Sequence, residues 1–172
     1  MSRNDVLFGE LDASRRRFLS EVEGLDEEHF GRRPPDGGWS VAQAVEHIAR
    51  SEAVMAKGFK LAAAGRLAVR TEFADPFRRL LWTFGVYRLV SIRTTPALDP
   101  EKSQSRVDSL AQLGLNRENL LSAIPPGPLT GFRMRHPVFG PLSGEEMLRF
   151  AALHEERHRL QIVRIKRSLG VR

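Results

Sequence analysis

Residues 143–170 read SGEEMLRFAALHEERHRLQIVRIKRSLG. Ser143 and Glu146 have the spacing of a capping box, and Leu142 stands opposite Met147 as the accompanying hydrophobic staple. Met147, Ala151, His154, His158, Gln161 and Ile165 then recur at spacings of four, three, four, three and four, which is one stripe of an α-helix. Gly170 follows the last periodic residue, Leu169, where a helix end calls for a left-handed residue. The stretch predicts one long helix whose inward face carries two histidines a turn apart.

Working back along the chain, three more segments have the same period. Leu7, Leu11, Ser14, Phe18, Val22 and Leu25 form one face of a helix over about Asn4 to Leu25. The segment DEEHFGRRPPDGG breaks that pattern, since its prolines and glycines do not continue a helix. Ser40 with Gln43 makes a second capping box and opens a helix that Gly65 would stop. A further helix is expected from Ser105 to about Ile124, with Val107, Leu110, Leu113, Leu120, Leu121 and Ile124 as its apolar positions. Residues 66–104 are ambiguous, and Asp75-Pro76 favours a helix over part of them. The segment PPGPLTGFRMRHPVFGPL reads as irregular, and no run alternates well enough to suggest a sheet. Four long helices with one long central connection predict an all-α four-helix bundle, a single domain over 1–172.

Composition narrows the chemistry. The 172 residues are 41% hydrophobic and 28% charged, as in an ordinary globular chain. There is no cysteine, which excludes disulfides, thiolate metal sites and cysteine nucleophiles and makes an intracellular, cytoplasmic location the default expectation. The N-terminal residues lack the apolar core of a secretory signal, and no apolar run is long enough to span a membrane. The net charge of +6 comes from scattered basic residues, so a solvated basic surface is the expectation ahead of a nucleic-acid interface.

His154-Glu155-Glu156-Arg157-His158 fits the H-E-x-x-H pattern of zinc proteases. Such proteases take a third ligand from downstream, and no Asp, Glu, His or Cys follows His158. Gln161 and Arg164 occupy the places where the extended motif needs Gly and His. Two imidazoles facing inward one turn apart still suit a metal ion, because they would repel if charged and need partners if neutral. A third ligand must then lie upstream. His29 sits in the broken segment, and His136 precedes Pro137, which restricts its backbone. His47 lies within the second long helix, on a stripe of Ser40, Ala44, Ser51, Val54 and Gly58, where small residues would let a neighbouring helix approach. Read alone, His47 fits the edge of an apolar face equally well; with the pair on the last helix in place, the ligand reading is favoured.

The segments GGWSVAQAVEHIARSE and HPVFGPLSGEEMLRFAALHEERHRLQIVRI resemble the two signature regions of the DinB/YfiT-like superfamily. The match includes the Trp-Ser opening of the second long helix with its later histidine, the His-Pro-x-Phe-Gly turn and the final H-x-x-x-H-x-x-Q, in order and at fitting spacing. The resemblance implies an up-down-down-up bundle, often a homodimer, with a divalent metal held by three histidines. By position these are His47, His154 and His158. A three-imidazole site leaves coordination positions open, the pattern of catalytic sites, and imidazoles alone do not choose between zinc, nickel and iron. Characterised relatives include enzymes that use low-molecular-weight thiols, and the superfamily is often described as hydrolases.

The expectation is therefore a metal-dependent hydrolase or thiol transferase acting on a small-molecule substrate. The alternative is a non-catalytic bundle that binds a metal or small molecule as a sensor or detoxification factor. Glu155 is the candidate catalytic acid–base group, although at about 100° around the helix from His154 it could equally face a neighbouring helix. Gln161 shares the histidine stripe and either supports the site by hydrogen bonding or is a polar residue at the helix interface.

Overall fold

The computed structural model describes residues 3–66, 98, 100, 105–136 and 139–171. Helix α1 is Arg3–Val22, the short α2 is Glu27–Gly31, α3 is Val41–Ala63, α4 is Arg106–Ala123 and α5 is Gly144–Leu169. Strands β1 (Arg133–His136) and β2 (Gly140–Ser143) form an antiparallel hairpin between α4 and α5. The central part expected to hold a further helix falls outside the described residues, except at 98 and 100.

Local chemistry sets the helix ends. Ser40 and Ser143 both make complete capping boxes, with Gln43 and Glu146 returning a side-chain bond to the cap backbone. Ser105 caps α4 by accepting from the Asp108 amide. Gly170 ends α5 in the left-handed region at φ 72°, where a Cβ would be strained. Two elements depart from the sequence expectation. The segment read as a helix break contains α2, which Asp26 caps and which buries Phe30. The segment read as irregular contains the β1–β2 hairpin, too short to show an alternating pattern.

Cross-helix contacts give the topology. Ser14 meets Glu155 and Glu21 meets Lys166, so α1 and α5 run parallel. Asn116 bonds Ala49 and Arg117 bonds Glu52, so α3 and α4 also run parallel. Leu7 and Leu11 share a core with Phe59, while Phe18 and Val22 share another with Val45, so α1 opposes α3. The order is up-down-down-up.

Those two apolar cores sit at the two ends of the bundle. One gathers Leu7, Leu11, Phe59, Leu120, Leu129 and Leu148; the other gathers Phe18, Val45, Ile48, Leu113 and Ile162. Between them α1, α3, α4 and α5 contribute a buried polar layer of Ser14, Ser51, Glu52, Asn116, Arg117, Glu155 and His158. Gly58 does not serve a helix contact as expected: a Cβ there would come 3.1 Å from the Met134 sulfur, so it admits the hairpin.

Candidate metal centre

Three histidines converge in the polar layer. His47 lies two turns into α3, and His154 and His158 lie one turn apart on α5. His47 Nε2 is 3.2 Å from His154 Nε2, and His158 Nε2 is 3.1 Å from the same atom. One nitrogen from each of the three lies within 4.8 Å of the others. His47 and His158 are buried, and His154 keeps part of its surface open to solvent.

The outer ring nitrogens decide the tautomers. His47 Nδ1 is 2.9 Å from the Leu98 carbonyl oxygen, and His158 Nδ1 is 2.8 Å from Gln161 Oε1. Both partners accept, so both Nδ1 atoms carry the proton of a neutral ring. The inner Nε2 atoms of His47 and His158 then hold lone pairs aimed at His154 Nε2. Burial, then His158, His47, His136 and Arg157, hold His154 well below the usual histidine value. Burial and His47 do the same to His158, against a raising bond from Gln161.

The arrangement has the dimensions of a cation site. Imidazole nitrogens about 2.0–2.1 Å from a tetrahedral zinc ion lie about 3.3 Å apart, close to the observed separations. Hydrogen bonds to the far ring nitrogens are the usual outer support of such ligands. The donor set therefore fits a divalent metal.

Aromatic rings wall the cluster. Trp39, just before the α3 cap, lies 5.0 Å from the His47 ring and stacks at 6.0 Å on His158. Phe150 stacks at 5.0 Å on His154. His136, at the end of β1, meets Phe150 edge-on at 4.5 Å and accepts from the Phe139 amide at its Nδ1. Burial pushes His136 down to about 4. His29 is on α2, half-buried, with its Nδ1 2.7 Å from Asp26.

Glu155 has a different setting from its histidine neighbours. Its Oε2 accepts from Ser14 Oγ at 2.6 Å and from Arg117 Nη2 at 3.2 Å, and its Oε1 from Arg15 Nε at 2.5 Å. Glu52 accepts from the same two arginines. The carboxylate considered as an acid–base group is thus committed to α1 and α4. Sequence reasoning passed over this cluster, yet a signal existed: Arg15, Glu52 and Arg117 each fall on an apolar stripe, four residues after Leu11, Ile48 and Leu113.

Fold and site together define a four-helix bundle with three converging imidazoles in its polar layer. The chain belongs to the DinB superfamily, whose family model matches residues 10–162. Two solved structures are similar. TT2238, a four-helix bundle protein, superposes with a TM-score of 0.64 at 22% identity, covering 93% of this chain and 98% of its own. YfiT from Bacillus subtilis, described as a probable metal-dependent hydrolase with an unusual four-helix bundle topology, superposes at 0.61 with 20% identity, covering 100% of this chain and 91% of its own. No curated protein sequence matches.

Proposed function

We propose that the chain is a metal-dependent enzyme in which His47, His154 and His158 hold a divalent ion, with zinc or nickel ahead of iron. The observation that supports this is the convergence of three Nε2 atoms whose outer nitrogens, on His47 and His158, are already engaged. When bound, the ion supplies Lewis acidity, for hydrolysis of a small-molecule substrate or for transfer from a low-molecular-weight thiol. The name carried by YfiT favours hydrolysis.

The protein's own groups have definite parts in this reading. Leu98 and Gln161 hold the His47 and His158 rings so that the Nε2 lone pairs face inward. Trp39 and Phe150 shield the cluster from water, and the open side of His154 is the side from which a substrate arrives. Elemental analysis of untagged protein tests the metal, since a polyhistidine tag binds the same ions. Close to one equivalent of zinc, nickel or iron per chain, with chelator-sensitive turnover of model esters or of a thiol and an electrophile, is the expected result. Metal-free protein that also fails to take up added zinc would overturn the reading.

A further inference from the structure

We propose that Arg15, Glu52, Arg117 and Glu155 are positioning residues that hold the two histidine-bearing helices at the spacing the metal needs. This rests on the metal reading above and adds a device beside the ligands.

The two carboxylates belong to the same helices as the ligands. Glu155 lies between His154 and His158 on α5, and Glu52 lies five residues beyond His47 on α3, about 7.5 Å along the axis. Like-charged carboxylates would drive α3 and α5 apart. Two guanidinium groups bridge them instead. Arg15 donates from Nε to Glu155 at 2.5 Å and from Nη2 to both oxygens of Glu52 at 2.9 Å. Arg117 donates from Nε and Nη2 to Glu52 at 2.8 and 2.6 Å, and from Nη2 to Glu155 at 3.2 Å.

The arginines are themselves pinned reciprocally. Arg15 of α1 donates to the Leu113 carbonyl of α4, and Arg117 of α4 donates to the Leu11 carbonyl of α1. Each guanidinium therefore touches three other helices, and the quartet ties all four long helices at one level. Its formal charge is zero, and the side chains are 1% to 12% exposed.

Such a cluster is a poor means to stability alone, because apolar residues of similar volume often serve as well or better. It does supply direction. Planar guanidinium forks fix both separation and rotation of the groups they join, whereas apolar faces tolerate sliding. Metal–nitrogen distances tolerate only about 0.2 Å. A layer that locks α3 to α5 beside the ligands meets that tolerance.

The test separates positioning from folding. Arg15→Met/Glu155→Leu removes one cation and one anion and leaves the Arg117–Glu52 pair. The expected result is a folded apo-protein, by circular dichroism and thermal melting, that binds zinc about tenfold more weakly, as disturbed outer support of a metal site does. The visible absorption of bound cobalt(II), which reports ligand geometry, should also change. Arg15→Lys keeps the charge and loses the fork; should the double variant fail to fold, it must show the same weakening at parental helicity. Parental zinc affinity and cobalt spectrum in a folded variant would overturn the positioning role while leaving the metal reading intact. A parent chain that binds neither ion would overturn both.

Discussion

The bundle's polar layer contains two clusters that begin one residue apart on α5. Glu155 belongs to a quartet in which two carboxylates face two guanidinium groups, and every member has bonds to groups of complementary character. His154 belongs to a trio of like groups whose inner nitrogens face one another at 3.1 and 3.2 Å. The quartet is complete as it stands; the trio is the donor set that the proposed cation would complete. Burial alone does not separate them, since both are largely shielded. Complementarity does: matched charges make a structural layer, and converging lone pairs make a binding site.

The sharpest way to break this contrast is to take one member from each cluster. Arg117→Met leaves two buried carboxylates with one guanidinium and should lower apo stability by about 3–5 kcal/mol in urea unfolding, because an uncompensated buried charge remains. His47→Ala should abolish the rise in melting temperature that zinc produces at pH 7.5, while leaving helical content nearly unchanged. Calorimetric titration of untagged protein checks this, with His29→Ala as the silent control; parental affinity in His47→Ala would return His47 to the plain core. Because His154 and His158 are held well below the usual histidine value, the zinc effect itself should persist below about pH 6 and fade only at lower pH, as protons compete for the imidazoles.

Smaller effects sharpen the comparison. Gln161→Leu removes the acceptor for His158 Nδ1 and should cost about tenfold in zinc affinity with little change in apo stability. His136 should contribute only to pH dependence. Its folded value, about 4, lies below the unfolded one of about 6.5, so the unfolded state binds the proton first. The stability it contributes is complete above pH 6.5 and is lost as pH falls toward 4. Compared with the parent, His136→Gln should show a shallower fall in apo melting temperature across that window; an identical slope would assign the dependence to other groups.

Parts of both clusters were legible in the chain. The stripe from Met147 to Ile165 put His154 and His158 on the inward face of α5, and the capping boxes at Ser40 and Ser143 set the helix starts within a residue. Helix α4 was read less well. Val107 and Leu121 counted as core positions, yet they are 71% and 37% exposed, while Ser109, Asn116 and Arg117 are buried. A hydrophobic stripe misleads where the core itself is polar. The same cause hid the quartet, since Arg15, Glu52 and Arg117, charged residues on three different helices, are read as surface until their partners are known.

The sequence by itself determined the four long helices, the capping boxes at Ser40 and Ser143, and two of the three converging histidines. Those depend on local spacing, because backbone hydrogen bonds and the 3.6-residue period act within one segment. Only the tertiary structure decided that His47 comes within 3.2 Å of His154, that Leu98 supports it, and that Glu155 turns to Arg15 and Arg117 rather than to the histidines. Those pairings join groups 38 to 140 positions apart. Which partner a buried polar group finds at such separations depends on how the helices pack, and periodicity within one helix does not encode it.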